Sequence, residues 1–246
     1  MDGHILYRGV GMKKFFTILK YTIIYVSVAV LCLSGSAITD YAVTTIAENS
    51  PIANRRSIVI DAGHGGVDGG AISCTGIYES KLNLQISLRL NDLMHLLGLK
   101  TVMLRSTDTD LSRGEGTIAQ RKIADLKERV RIINKLENCI LISIHQNNFQ
   151  DSRYSGAQVF YADTEASEDL AKKLQEELTK TLMPQNKRKV KPASHVYLME
   201  HITCPGALVE CGFLSNPEEE AKLRNDEYQK LLCAVIASTV SLYLNT

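Results

Sequence analysis

From position 57 onward the chain alternates between two spacings of apolar residues. Ser57 to Asp61 (SIVID) is a short β-branched run, which predicts a buried strand. Between Glu79 and Leu97, apolar residues recur every three or four positions (Leu82, Ile86, Leu90, Leu93, Leu97), which predicts an amphipathic helix that Gly98 stops. Lys100 to Leu104 predicts a second strand. Ile118 to Leu136 predicts a helix with Ile123, Leu126, Val130 and Ile133 on its apolar face. Cys139 to Ile144 (CILISI) is a core strand, and Ala157 to Tyr161 another. Leu170, Leu174, Leu178 and Leu182 step by four along a helix that Pro184 ends. Val196 to Met199 and Ala207 to Val209 read as short strands. Asn216-Pro217-Glu218-Glu219 is a helix start with a capping Asn, Pro at the first position and acids at the positive end of the dipole. A last helix covers Tyr228 to Leu244. Strands alternating with helices predict an α/β fold, a largely parallel or mixed sheet with helices on both faces.

The segment before position 57 follows a different pattern. Arg8, Lys13 and Lys14 precede Phe15, Phe16, Ile18 and Leu19, and an apolar run from Tyr21 to Leu33 ends in Ser34-Gly35-Ser36-Ala37. A basic prefix, an apolar stretch and small residues predict an export signal over residues 1–37. With Lys20 snorkelling to the interface, Phe15 to Leu33 serves instead as an uncleaved membrane anchor. Basic residues before the apolar stretch put the remainder on the outer face of the membrane. Residues 38–56, with small and polar side chains and Pro51, read as a linker, and 57–246 as one compact domain.

Composition narrows the function further. Lys+Arg is 28 and Asp+Glu 27, a net charge of +1, without the basic excess of a nucleic-acid partner. The absence of Trp argues against a carbohydrate module built on indole platforms. Cys32 falls in the export segment, and Leu31 before it is too large for a lipoprotein site. The other five cysteines are odd in number and contain no CxxC, so they read as mostly buried free thiols rather than a disulfide framework.

Four polar residues stand out by position. His64 follows the first strand in DAGHGG, Glu79 opens the helix after the glycine loop, His145 ends CILISIH, and Glu210 ends ALVE. Three of them sit at the carboxyl ends of predicted strands, the edge where α/β sheets place their sites. Two imidazoles and a carboxylate are a donor set that zinc takes in catalytic sites, where it brings the pKa of water to roughly 7. A second carboxylate then serves as general base and acid. Singly, each residue has an ordinary reading: a histidine after a strand, or a carboxylate complementing a helix dipole. The spacings are wide and no HExxH occurs. Glu210 directly after Ala207-Leu208-Val209 is the hardest to dismiss, because a buried acid is costly without a partner. His95 reads as a helix-surface residue, His195 and His201 as loop residues, and Cys211, with no local histidine as base, as a packed thiol. The glycine loop lacks both the GKS/T ending and the GxGxxG order of phosphate cradles.

IVIDAGHGGVDGGA (Ile58 to Ala71), the Glu79 helix start, SIHQN (Ser143 to Asn147) and ALVECGFLSNPEE (Ala207 to Glu219) follow one another in an order that resembles the zinc-dependent N-acetylmuramoyl-L-alanine amidases of type 3. The resemblance spans the chain from Ser57 to its end. It implies a central mixed sheet, one Zn2+ ion held by His64, Glu79 and His145, and Glu210 as the catalytic carboxylate. It also implies cleavage of the amide between the lactyl group of N-acetylmuramic acid and L-alanine of the peptidoglycan stem. The compact architecture further resembles the spore-cortex amidases of endospore formers, whose product feeds muramic-δ-lactam formation, and leaves room for an unidentified activating protein partner. Two departures, a long polar segment from Thr107 to Gln120 and Gln146 in place of a small residue, are expected to alter the groove without touching the three ligands. The rival readings are a non-catalytic wall-binding protein on the same fold and a zinc peptidase acting on the stem peptide.

Overall fold

The computed structural model describes residues 56–245 apart from 113 and 115, so the expected export or anchor segment and nearly all of the linker lie outside the described residues. The described residues form six strands and six helices: β1 (Ser57–Ala62), α1 (Glu79–Leu96), β2 (Thr101–Met103), α2 (Ile118–Asn134), β3 (Cys139–Asn147), β4 (Gln158–Tyr161), α3 (Ser167–Leu182), β5 (Lys191–Pro192), α4 (Tyr197–His201), β6 (Gly206–Phe213), α5 (Pro217–Leu223) and α6 (Asp226–Tyr243). The strands form one sheet in the order β2-β1-β3-β6-β4-β5. The β4–β6 pairing is antiparallel and the others are parallel, so the sheet is mixed as expected. Among the described residues no helix is long and apolar enough to cross a membrane.

The side-chain period of two divides β1, β3 and β6 between two cores. Ile58, Ile60, Ile140, Ile142, Ile144, Ala207 and Val209 face a large cluster shared with α1, α3 and α6. Val59, Leu141 and Leu208 face a smaller cluster that takes in Ile133 of α2 and Leu198 and Met199 of α4. The alternation then sends Asp61, Ser143, His145 and Glu210 to the smaller cluster's face, at the carboxyl edge of the sheet.

Three sequence expectations are corrected. Val196 to Met199 is not a strand: Val196 is extended but caps the short helix α4, so His201 closes a helix rather than lying in a loop. A brief apolar run suits a buried helical turn as well as a strand. The α2 face is also rotated from the expected one. Ile123 is 54% exposed, and the deepest positions are Asp125, Arg129 and Ile133. Buried Asp61 is the cause, since Arg129 pairs with it and with Asp125 and a buried carboxylate needs a partner. Finally, β3 and β6 run past their expected ends, so that His145 and Glu210 lie inside the strands. The body cysteines are free; Cys139, Cys204, Cys211 and Cys233 are buried and Cys74 is exposed.

Candidate active site

The four residues singled out in the sequence meet at one edge of the sheet. His145 and Glu210 are register partners on adjacent parallel strands, so their side chains share a face. His64 comes from the glycine loop two residues beyond β1, and Glu79 from the first position of α1. His64, Glu79 and His145 each offer one ligand atom, and these atoms lie within 4.8 Å of one another.

Close backbone approach explains the glycines. A Cβ on Gly63 would sit 2.2 Å from Nε2 of His145, and one on Gly70 would sit 2.6 Å from Oε2 of Glu79. His64 itself holds the left-handed conformation, with φ 60°, which costs a non-glycine residue energy and persists only where the surroundings enforce it. Two buried arginines supply that enforcement. Arg129 donates to the carbonyls of Ala62 (3.0 Å) and His64 (2.7 Å). Arg105 donates to those of Ala62, Gly63, Ser80 and Thr107. The long polar segment braces the same loop, since Gly66 N donates to Asp108 at 3.2 Å.

Glu79 is 4% exposed and surrounded by donors. Its Oε1 lies 2.9 Å from His145 Nδ1 and accepts from Gln146 N at 3.1 Å and Asn83 Nδ2 at 3.2 Å. Its Oε2 accepts from Ala71 N at 3.0 Å and lies 3.2 Å from His64 Nε2. Burial raises its pKa, but the hydrogen bonds from His145 and His64 outweigh it and hold the carboxyl well below the usual range. Gln146 therefore does touch this residue, contrary to expectation; it donates through its backbone, while its side chain donates to Asn83 at 3.2 Å. On the other side of His64, Nδ1 lies 2.8 Å from Asp68. Burial lowers the His64 pKa, yet the bonds to Asp68 and Glu79 prevail and lift it to about 9.

Glu210 has the opposite surroundings. Its Oε2 is buried with no hydrogen-bond partner among the described residues. Burial pushes its carboxyl up to about 7, His145 opposing and Glu79 reinforcing the shift. Behind the site, Asp61 accepts from Ser143 at 2.6 Å and pairs with Arg129. Asp68, Asn83, Arg105 and Arg129 were not anticipated from the sequence. The only local signals were the four-residue steps from His64 to Asp68 and from Glu79 to Asn83.

Two histidines and two carboxylates gathered at the carboxyl edge of the sheet place the chain among α/β enzymes that work at strand ends. The family profile of N-acetylmuramoyl-L-alanine amidases matches residues 58–241, and the chain belongs to that family. It is 40% identical over 189 residues to the germination-specific N-acetylmuramoyl-L-alanine amidase of Bacillus subtilis, covering 76% of this chain and 78% of the relative. The CwlD amidase of Clostridioides difficile, solved in complex with the GerS lipoprotein, superposes with a TM-score of 0.74 at 37% identity, over 77% of this chain and 98% of that one. An N-acetylmuramoyl-L-alanine amidase from Clostridium difficile 630 superposes at 0.69 with 30% identity, over 78% and 98%. The chain is thus a peptidoglycan amidase.

Proposed function

We propose that amide hydrolysis by this chain depends on one zinc ion held by His64, Glu79 and His145, with Glu210 as the catalytic carboxylate. The observation that carries the reading is the convergence of three ligand atoms within 4.8 Å beside a carboxylate whose Oε2 is buried and unpartnered. The donors fit the metal, since two imidazole nitrogens and a carboxylate oxygen are a set that leaves a catalytic zinc an open position. Zinc bound there supplies Lewis acidity, acidifying water and polarising the scissile carbonyl.

The protein's own groups do the rest. Asp68 takes the Nδ1 hydrogen of His64 and leaves Nε2 as the lone-pair nitrogen. Asn83, Gln146 N and Ala71 N fix the plane of the Glu79 carboxylate. Glu210 Oε2 accepts the proton of the attacking water and returns it to the leaving L-alanine nitrogen. A carboxyl near 7 suits both transfers at neutral pH. The bond cut joins the muramic lactyl group to L-alanine.

Likeness to a germination-specific amidase and to CwlD supports a role in spore-cortex maturation, with the product entering muramic-δ-lactam formation. It also supports a protein partner of the kind found with CwlD. We propose that residues 1–37 export or anchor the chain, 38–56 link it, and 57–246 act outside the cytoplasmic membrane.

Mass spectrometry of cortex-type peptidoglycan incubated with the full chain tests the reading, with wild type, Glu210→Gln and a chelated sample run in parallel. Release of intact stem peptides by metal-loaded wild type alone is expected. A released D-amino acid would mean a stem peptidase. No release from folded, zinc-loaded wild type would overturn self-sufficient catalysis.

A further inference from the structure

Among the buried and half-buried arginines, Arg188 has a different set of partners. Arg89, Arg121 and Arg129 are ion-paired, and Arg105 directs its donors to four carbonyls. Arg188 is held only by neutral groups. Its Nε donates to the Ser155 carbonyl at 2.8 Å and its Nη1 to Gln158 Oε1 at 3.2 Å. Its guanidinium lies 4.6 Å from the centre of the Phe213 ring and 5.8 Å from that of Tyr154. No carboxylate of the described residues pairs with it, and Nη2 has no protein partner there. The cation is therefore fixed in place by stacking and by two hydrogen bonds, with no carboxylate of the described residues in ion-pair contact.

Its position links it to the chemistry. Gln158 is the ladder partner of Glu210 on the antiparallel β4–β6 pair. Phe213 lies three residues beyond Glu210, past the irregularity between His145 and Asn147 that pairs Phe213 with Asn147. Phe213 is 2% exposed yet joins neither hydrophobic core, being covered by Arg188 and Tyr154. Arg188 also lines an open cavity of about 930 Å³, where Lys187 and Lys222 add positive charge, Glu218 and Glu219 add negative charge, and Asp151 is paired with Arg153; both Glu219 oxygens are taken by the Gly156 and Phe213 amides. That volume is of the order that seats a short peptide.

We infer that Arg188 is a specificity-determining residue that binds a carboxylate of the stem peptide, whose remaining residues lie in this cavity while the scissile amide is at Glu210. A planar guanidinium with N–H groups free on both Nη1 and Nη2 matches a carboxylate edge to edge. The stem peptide is the part of the substrate that carries carboxylates, whereas the neutral glycan chain offers amides and hydroxyls. The inference rests on the amidase reading for the identity of the ligand and on Arg188's own contacts for the site.

The test is calorimetric binding to the full, zinc-loaded chain carrying Glu210→Gln, which removes turnover. The ligands are a muramyl tripeptide and the same compound with its peptide carboxylates converted to carboxamides. Amidation is expected to weaken binding about tenfold or more. Adding Arg188→Gln should weaken the carboxylate ligand by the same factor and leave the carboxamide within about twofold. Arg188→Lys, which keeps the charge and most of the stem, should fall between. Equal loss for both ligands, loss for neither, or no binding of the muramyl tripeptide at millimolar concentration would overturn the site. In wild type, Arg188→Gln should raise KM with kcat nearly unchanged. Coupling between Arg188 and the carboxylates in a chain that releases no stem peptides would leave the site standing and bring down the amidase reading. Release without coupling would do the reverse.

Discussion

Glu79 and Glu210 are two carboxylates of one site, and their surroundings differ in almost every respect. Glu79 meets three N–H donors, from Ala71, Asn83 and Gln146, and two imidazoles, and its carboxyl is held far down. Glu210 has a buried oxygen with no hydrogen-bond partner among the described residues, and its carboxyl is pushed up to about 7. A carboxylate satisfied on both oxygens is suited to stay ionised and still. A carboxylate with an orphaned oxygen is suited to pick up and release a proton. The protein thus pushes two copies of one functional group in opposite directions by environment, as with paired acids elsewhere.

The largest expected effect separates the two residues by activity. Glu210→Gln should lower the rate of stem-peptide release by about 10²–10⁴-fold while metal analysis still finds one ion per chain; loss of the ion along with the rate would erase the distinction. Glu79→Gln should do more to the fold. It leaves two imidazoles and three N–H donors facing a neutral amide, and chemical denaturation of the metal-free protein should show a loss of about 1–3 kcal/mol. An unchanged midpoint would mean those bonds contribute little.

Asp68→Asn should weaken zinc about 10–100-fold in competition with a chelator, since it removes the partner that sets the His64 tautomer. Wild-type affinity in this variant would place the ring's orientation under the control of the backbone clamps alone.

The smallest effect has the opposite sign to that of Glu79. The Glu210 carboxyl sits near 7 in the fold against an ordinary 4.5. The folded state therefore binds this proton more tightly, and stability contributed by the group falls as pH rises from 4.5 through 7. Glu210→Gln should accordingly stabilise the metal-free protein at pH 8, by about 1–2 kcal/mol, and leave it unchanged at pH 4. Destabilisation at pH 8 would mean the carboxylate has a partner after all.

The four residues were legible because each stands where a local pattern breaks: a histidine opening a glycine loop, a histidine and a glutamate closing apolar strands, a glutamate starting a helix. Their supports were not. Arg129 looks like any charge on a helix face until Asp61, 68 positions away, is brought beneath it. Asn83 reads as a polar residue between leucines, and only the folded α1 aims its amide at both Glu79 and the Gly63 carbonyl. The expected Ile123 face of α2 failed for the same reason, since an apolar stripe cannot report a buried ion pair on the facing strand. Lys191–Pro192 has no strand signal at all and pairs only because β4 is an available edge.

The arginine clamps also bear on the order of events in folding. The loop that carries His64 is fastened by side chains from the segment after β2 and from α2, and its imidazole finds its companions only after β1, β3 and α1 are assembled. These are non-local contacts, the slowest to form. A half-folded chain consequently lacks the converged donor atoms, and on the proposed reading metal uptake would report that assembly is complete.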